Sequence, residues 1–298
     1  MPGPELALDA RCALGEGPVW HEGALWFVNI PGGELHRFEP ASGAHEVRTL
    51  LDGFLSSAIP CTDGHWLVSV QDGFALYDWA NDRLEPIRGL DDPDPGNRFN
   101  DAKADPSGRV WAGTMSTRGV RDNAALYRLD HDHTLRAMVS PVTLSNGMAW
   151  SADASRMYYI DTPTRRVDVF DFDAEAPEPH TPVRNRRTLI EFGALEGSPD
   201  GMTIDRDDNL WVALWGGSRV VHVNGHTGER LGDVGLPASQ VTSCCFGGSD
   251  LEVLFITTAR AGLSDERLAA EPHAGGVFRL VPGVGGRPAD LFGLRADR

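Results

Sequence analysis

The hydrophobic positions of the chain fall into six short runs that recur at similar intervals. The aromatic residues at their centres, from Trp26 to Phe255, follow one another at spacings of 40 to 53 residues. Each run is bounded by turn residues and is too short for a buried helix, so it predicts a buried strand. The six runs are LWFVNI (25–30), WLVSVQ (66–71), VWAGTM (110–115), MYYIDT (157–162), LWVALW (210–215) and LFITTA (254–259).

Further strands flank each run in the same order. A short strand and a tight turn precede it, as in KADPSGRVWAG, and a strand of alternating polarity follows it, as in ALYRLD. The Asp, Ser and Gly residues between the strands tolerate the dihedral angles of hairpin turns. Three regular strands and a less regular fourth, repeated six times, predict an all-β fold, a six-bladed β-propeller with four-stranded antiparallel blades. We expect one domain over residues 1–298; a two-sheet sandwich, the alternative, lacks such a period.

The innermost strands of a propeller line its central channel, and alternate side chains of each strand point into that channel. In the six segments that lead into the predicted innermost strands, polar or sulfur-bearing residues fall at nearly equivalent positions. They are Glu16, Ser56, Asn100 or Asp101, Asn146, Asp200 and Cys244. We therefore expect several polar groups to meet at one mouth of the channel.

Two carboxylates and two amide oxygens close together in a dry channel would repel one another without a counter-ion. Oxygen donors suit hard cations such as Ca²⁺, Mg²⁺ and Mn²⁺, and Zn²⁺ and Fe²⁺ also accept them. Taken alone, Glu16, Asn146 and Asp200 are each an ordinary turn residue beside a glycine. Their recurrence at equivalent points of a repeat favours one bound divalent metal ion.

Composition narrows the range of partners and locations. The chain carries 27 basic and 43 acidic side chains, a formal net charge of −16, which opposes binding to nucleic acid or to an anionic membrane. The N-terminal MPGPELALDA does not read as a secretion signal, and the apolar runs fall short of a membrane span. The four cysteines form no CxxC motif. We expect a soluble, cytoplasmic monomer with reduced thiols.

Nine motifs spread over nearly the whole chain resemble the gluconolactonase and senescence-marker-protein (regucalcin) family. The last of them is expected to close the final blade. The motifs are LGEGPVW (14–20), NRFNDAK (97–103), GRVWAGTM (108–115), LSNGMAWSAD (144–153), YYIDT (158–162), PDGMTID (199–205), LWVALW (210–215), VTSCCFGG (241–248) and AGGVFRL (274–280).

The resemblance implies a function and a set of site residues. One divalent ion would be held by Glu16, Asn146 and Asp200, and Asp200 would double as the general base. Arg98 and Asn100 would bind the hydroxyl and carbonyl oxygens of a sugar. The implied activity is that of a metal-dependent hydrolase. It would open aldono-1,4- or 1,5-lactones, such as gluconolactone, xylonolactone or arabinonolactone, to sugar acids.

The loop at residues 116–125 departs from the family pattern. It is shorter than in the animal members, in which a glutamate on this lid contacts the substrate. Asp122 and Asn123 are the candidates for that role in this sequence.

Two other functions are compatible with the sequence. A two-carboxylate glycosidase and a non-enzymatic calcium-binding or interaction propeller are the competing functions, because a fold does not determine a function. G-x-S-x-G, HExxH and phosphate-binding glycine motifs are absent from the sequence, which disfavours other common hydrolase chemistries. The alternative role for Arg98 is structural, as the ion-pair partner of Asp101 or Asp105.

Overall fold

The predicted propeller is present. A computed structural model describes residues 3–91, 93–176 and 182–293 of the chain. Over these residues the fold consists of six four-stranded antiparallel sheets arranged in a ring. The repeat of short apolar runs therefore predicted both the fold class and the number of blades.

The strands follow one another blade by blade, except that β1 (Glu5–Leu8) belongs to the last blade. Blade 1 contains β2 (Gly15–His21), β3 (Ala24–Asn29), β4 (Glu34–Glu39) and β5 (Ala44–Thr49). Blade 2 contains β6 (Ser57–Pro60), β7 (Trp66–Ser69), β8 (Gly73–Asp78) and β9 (Arg83–Gly89). Blade 3 contains β10 (Asn97–Ala104), β11 (Val110–Ser116), β12 (Ala124–Leu129) and β13 (Leu135–Val142).

The second half of the ring has the same order. Blade 4 contains β14 (Ser145–Trp150), β15 (Arg156–Asp161), β16 (Arg166–Phe172) and β17 (Val183–Glu191). Blade 5 contains β18 (Ser198–Ile204), β19 (Asn209–Trp215), β20 (Arg219–Asn224) and β21 (Arg230–Gly235). Blade 6 contains β22 (Val241–Gly247), β23 (Val253–Thr258) and β24 (Val277–Leu280), with helix α1 (Asp265–Ala270) before β24. Short 3₁₀ turns occupy Ile30–Gly32 and Thr162–Thr164.

Apart from β1, the first strand of each blade along the chain lies innermost. Strands β2, β6, β10, β14, β18 and β22 each contact the innermost strands of the two neighbouring blades. Because every blade starts from its innermost strand, these six strands run in the same direction along the channel. We call the end of the channel at their N-termini the upper mouth and the end at their C-termini the lower mouth.

The ring is closed by the N-terminal strand. Strand β1 pairs with β24, with Glu5 opposite Arg279 and Leu6 opposite Phe278, and becomes the outermost strand of blade 6. AGGVFRL is the segment predicted to close the last blade, and no strand is predicted for Glu5–Leu8. These four residues are exposed or half-buried, so they lack the apolar pattern that identified the other strands.

Aromatic residues of the blades pack against aromatic residues of the neighbouring blades. The Trp26 and Trp66 ring centroids lie 4.3 Å apart at the junction of blades 1 and 2. The Trp111 and Trp150 centroids lie 6.2 Å apart at the junction of blades 3 and 4. All four side chains are buried, so they belong to the core.

The cysteines are structural residues. All four are free and buried, in agreement with the prediction of reduced thiols. Burial raises the pKa of the Cys61 thiol to about 12, which keeps it in the unreactive protonated form.

No helix among the described residues combines the length and apolar character that crossing a bilayer requires.

The buried His36 gives the fold a pH dependence. It packs against Phe27, and its Nδ1 lies 3.0 Å from His45 Nε2. Burial, followed by repulsion from His45, lowers the pKa of His36 to about 4, although nearby Glu34 opposes the shift. Since the unfolded chain protonates this residue near its ordinary pKa of 6.5, the stabilisation is complete above pH 6.5. It is lost as the pH falls towards 4.

We expect the free energy of unfolding to decrease by on the order of 2–3 kcal/mol between pH 7 and pH 4 because of His36 alone. Urea unfolding of the wild type and of His36→Phe at several pH values measures this term. His273→Phe is the control, since the side chain of His273 is 47% exposed. The variant at His36 should show the flatter pH profile, and identical profiles for the three proteins would disprove the assignment.

Candidate active site

Bulges in the innermost strands direct polar side chains into the channel near the upper mouth. Over the described residues, five of the six innermost strands contain a one-residue shift in pairing. The shift includes Asn146 in β14, Asp200 in β18, and Asn100 with Asp101 in β10, and it follows Glu16 in β2. A bulge bends its strand and re-aims the side chains that it contains.

Hydrogen bonds between neighbouring blades show which positions of the innermost strands are equivalent. At four places a side chain donates a hydrogen bond to a backbone carbonyl of the next blade. The accepting residues immediately precede Glu16, Asn100, Asn146 and Asp200, which therefore occupy matching positions, and this favours Asn100 over Asp101. The four bonds are Ser56 Oγ to Phe99 O (2.6 Å), Asn100 Nδ2 to Ser145 O (2.9 Å), Thr162 Oγ1 to Pro199 O (2.8 Å) and Thr242 Oγ1 to Gly15 O (2.6 Å).

The expectation for Cys244 was wrong. Its side chain belongs to the hydrophobic cluster between blades 5 and 6, and its Sγ lies 3.3 Å from the carbonyl oxygen of Trp211. Counting residues back from the strand core ignored the bulge at Thr242, and one extra residue reverses the alternation of the strand. Thr242 takes the inward position instead.

Direct hydrogen bonds link three of the predicted site residues. Arg98 donates from one terminal nitrogen to Asn100 Oδ1 and to the carbonyl oxygen of Phe99, both at 2.8 Å. Asn100 Nδ2 in turn donates to Asn146 Oδ1 at 3.0 Å. Arg98 also interacts electrostatically with Glu16 and Asp200. The structure thus brings together the five residues that the family resemblance assigned to metal and substrate, namely Glu16, Arg98, Asn100, Asn146 and Asp200.

These contacts argue against the structural role considered for Arg98. Asp105 is instead the partner of Arg109, whose Nε lies 2.9 Å from Asp105 Oδ2, and of the Trp111 indole nitrogen, also at 2.9 Å. The guanidinium of Arg98 lies over Phe54, 5.3 Å from the ring centroid. Arg98 is 7% exposed, and it belongs to the channel cluster.

The cluster holds more negative charge than its arginine balances. Burial raises the pKa of Glu16 to about 8, and the charge of Asp101 contributes to the rise. Burial, followed by repulsion from Glu16, raises the pKa of Asp200 well above its ordinary value, while Arg98 opposes the shift. Ionising both carboxylates therefore requires a further positive charge nearby.

A divalent cation fits this environment. No three His, Cys, Asp or Glu side chains are grouped for metal binding anywhere in the part of the chain that the structure describes. A metal site here would therefore use the amide oxygen of Asn146 as its third protein ligand, beside Glu16 and Asp200. Two buried carboxylates and an amide form an all-oxygen donor set, and a dication would relieve the repulsion between the carboxylates.

Lys103 is not among the predicted site residues. A cavity of about 380 Å³ at the lower mouth is lined by Asp101, Lys103 and residues 287–290, among others. Glu16 and Asp200 do not line it, so the predicted site and this cavity belong to different ends of the channel. Asp101 and Lys103 nevertheless act electrostatically on Glu16. The negative charge of Asp101 raises the pKa of Glu16, and the positive charge of Lys103 lowers it.

The side chains of Asp122 and Asn123 hold their own loop in place. Asn123 Nδ2 donates to Asp94 Oδ2 at 2.8 Å, and Asp122 Oδ1 accepts from the Thr143 hydroxyl at 3.1 Å. Arg118 adds a hydrogen bond to Asp94 Oδ1 at 2.8 Å. The loop is therefore anchored to the body of the propeller. The substrate contact for Asp122 or Asn123 stays a prediction.

Gly147 allows the innermost strands of blades 4 and 5 to approach closely. A Cβ atom at this position would lie 2.7 Å from the Asp200 carbonyl oxygen and 2.9 Å from the Met202 amide nitrogen. We expect Gly147→Ala to push β14 and β18 apart and to cost about 1–3 kcal/mol of stability. The same movement should displace Asn146 from Asp200 and weaken binding of divalent metal.

Thermal unfolding and metal titration test this expectation. Gly232→Ala is the control, because a Cβ at Gly232 would meet nothing within 4 Å. A Gly147→Ala protein as stable as Gly232→Ala, with unchanged metal affinity, would show that the close approach does not matter.

Comparison with known proteins places this site in a family. The sequence profile of the SMP-30/Gluconolactonase/LRE-like region matches residues 14–260. The chain belongs to this family. The match includes five blades and much of the sixth, and it contains every predicted site residue.

Individual relatives resemble the chain over nearly its full length. YvrE of Bacillus subtilis carries the name of a sugar lactone lactonase, an activity attributed to it. It is 40% identical over 94% of this chain and 95% of its own length. Regucalcin of Oryctolagus cuniculus is 37% identical over 95% of this chain and 96% of its own. The crystal structure of a calcium-binding protein, regucalcin, from Agrobacterium tumefaciens has a TM-score of 0.91 at 29% identity. It covers 98% of both chains.

Proposed function

We propose that this protein is a divalent-metal-dependent hydrolase that opens sugar lactones to sugar acids. The observation that carries the proposal is the joining of Arg98 and Asn100 to Glu16, Asn146 and Asp200 near the upper mouth, through hydrogen bonds and charge. A site that only binds an ion does not need a buried arginine next to the ligands of that ion. Membership of a family that includes gluconolactonases supports the reaction class.

The side chains suit the steps of lactone hydrolysis. In this reaction the oxygen of water bonds to the carbonyl carbon, the ring C–O bond breaks, and the ring oxygen takes up a proton. The Asp200 carboxylate takes the proton from the attacking water as the general base. Arg98 donates hydrogen bonds to the oxyanion or to ring substituents. Asn100 Oδ1, which already accepts from Arg98, has a second lone pair for a sugar hydroxyl.

Glu16, Asn146 and Asp200 are the proposed ligands of one ion, which is Ca²⁺, Zn²⁺, Mn²⁺, Mg²⁺ or Fe²⁺. When bound, a divalent ion at such a site supplies polarisation of the carbonyl oxygen and a lower pKa for water. Three protein ligands leave coordination positions for substrate and water. The similar A. tumefaciens structure, described as a calcium-binding protein, supports Ca²⁺ as a candidate.

The proposed substrates are aldono-1,4- and 1,5-lactones such as gluconolactone, xylonolactone and arabinonolactone. We propose that the protein acts on them as a cytoplasmic monomer, with residues 1–298 forming one domain. Its net charge of −16 supports the proposal that neither nucleic acid nor membrane is a partner.

A substrate panel with controlled metal content tests the proposal. Purified protein is stripped with chelator, reloaded with each metal in turn, and assayed for acid release from aldonolactones and for cleavage of nitrophenyl glycosides. We expect lactone opening that disappears with chelator and returns with metal. Glycoside cleavage that persists without metal would favour the two-carboxylate glycosidase. Tight metal binding with neither activity would favour the calcium-binding propeller.

A further inference from the structure

The hydroxyl of Thr162 connects the two strands that carry Asn146 and Asp200. Thr162 begins the 3₁₀ turn after β15. Its Oγ1 accepts a hydrogen bond from Asn146 Nδ2 at 2.9 Å and donates one to the carbonyl oxygen of Pro199 at 2.8 Å. Pro199 immediately precedes Asp200. Among the four side chains that donate to the carbonyl before a site residue, Thr162 is the one that accepts from a proposed ligand.

The direction of this hydrogen-bond chain is fixed at both ends. A carbonyl oxygen such as that of Pro199 can only accept, so the single hydroxyl proton of Thr162 points towards it. Towards Asn146 the Thr162 oxygen can then only accept, and the amide must present its NH₂ group there. At the other end, the guanidinium of Arg98 can only donate. It therefore faces the oxygen of Asn100, whose NH₂ group in turn meets the oxygen of Asn146.

Both ends of the chain therefore select the same orientation of the Asn146 amide. Its nitrogen is on the Thr162 side, where it also hydrogen-bonds to the Asp200 carboxylate. Its oxygen accepts from Asn100 and keeps a second lone pair for a cation. The reverse orientation would turn NH₂ hydrogens towards the ion and remove one ligand.

Hydrogen bonds hold the turn that begins at Thr162 against the start of strand β14. The carboxylate of Asp161, which is buried, accepts from the backbone nitrogen of Leu144 at 2.9 Å, and the Thr162 nitrogen donates to the Leu144 carbonyl oxygen at 3.0 Å. Leu144 lies two residues before Asn146. The position of the Thr162 hydroxyl relative to Asn146 is thus fixed by backbone contacts.

We propose that Thr162 is a positioning residue that holds the Asn146 amide with its oxygen available to the metal. The inference rests on the proposed function, because it takes Asn146 to be a metal ligand. Partners of metal ligands typically change metal affinity by 10–100-fold when they are removed. Thr162→Val keeps the shape of the side chain and removes the hydroxyl. We therefore expect at least a ~10-fold increase in the Kd for metal.

The experiment is calorimetric titration of chelator-stripped protein with Ca²⁺ and, separately, Mn²⁺. Thr162→Ser should bind within a few-fold of wild type, about 3-fold at most, because it restores the hydroxyl. Thr164→Val is the matched control: its hydroxyl, in the same turn, donates to the Asp161 carbonyl oxygen at 2.7 Å and should not affect metal affinity. Thermal unfolding of the metal-free variants verifies that all are folded.

A double variant distinguishes orientation from general damage. Asn146→Asp has two equivalent oxygens, so its orientation no longer depends on Thr162. If the inference holds, Thr162→Val should weaken metal binding far less in the Asn146→Asp background than in the wild-type background. Equal weakening in the two backgrounds, or equal weakening by Thr164→Val, would show a general effect of the turn and overturn the inference.

Two further outcomes separate this inference from the proposed function. Wild-type affinity in Thr162→Val would overturn the role of Thr162 and leave the proposed function intact. Absence of metal binding in the wild type itself would overturn the metal dependence of the proposed function, and this inference with it. If Thr162→Val does not fold, the comparison of Thr162→Ala with Thr162→Ser takes its place and is judged in the same way.

Discussion

Asp200→Asn should lower lactone turnover by at least ~100-fold, even when the variant is saturated with metal. The asparagine keeps an oxygen ligand of similar size, but it removes the proposed base and one of two buried negative charges. We expect weaker metal binding, because the remaining carboxylate at Glu16 attracts the ion alone. The measurement is kcat at increasing metal concentration until occupancy is complete.

Asn146→Asp is the companion variant for Asp200→Asn. It keeps the oxygen and adds a negative charge, so metal should bind at least as tightly as in the wild type. The added charge makes the ion a poorer electrophile, and turnover should fall despite the tighter binding. Near-normal rates for Asp200→Asn at full occupancy would show that Asp200 is only a ligand and that water loses its proton elsewhere.

Arg98→Met should lower kcat/KM about 10–100-fold and leave metal affinity unchanged or higher. Charge-assisted hydrogen bonds contribute about 1.5–3 kcal/mol each, which corresponds to this range. Removing the guanidinium leaves the carboxylates of Glu16 and Asp200 without their cationic neighbour, so a dication should bind no less tightly. The Asn100 amide keeps its orientation without Arg98, because its Nδ2 also donates to the Ser145 carbonyl oxygen at 2.9 Å. Methionine approximates the arginine stem and retains its packing near Phe54.

The control for Arg98→Met is Arg118→Met, which removes an exposed arginine bound to Asp94 in the 116–125 loop. This change should affect kcat/KM far less if the loop does not bind substrate through Arg118. Kinetics and metal titration on both variants make the comparison. Loss of metal or unfolding in Arg98→Met would instead support a structural role for Arg98.

The sequence predicted the fold well because each blade repeats the same physical problem. A short apolar strand must be buried between neighbouring blades, and this requirement leaves an aromatic-centred run in every repeat. Strand β1 escaped prediction because its four residues are exposed or half-buried at the outer edge of blade 6. Its role depends on pairing with β24 across almost the whole chain, which no local pattern reveals.

The site could be predicted only in part, because a bulge and a turn decide some of the contacts. Glu16, Asn146 and Asp200 could be compared because equivalent segments enter equivalent strands. The wrong position of Cys244 came from a bulge, which one sequence does not show. The contact of Thr162 with Asn146 also escaped prediction, because it depends on how a turn folds back against the neighbouring strand.

The most direct test of the account is the location of the ion and the substrate in one crystal. Crystals soaked with Mn²⁺ and an aldonolactone or its acid product would show the ion through its anomalous scattering. We predict one ion near the upper mouth, within roughly 2.0–2.6 Å of oxygens from Glu16, Asn146 and Asp200, with the sugar bound against Arg98. An ion that touches none of these three side chains, or a sugar bound in the cavity at the lower mouth, would contradict the account.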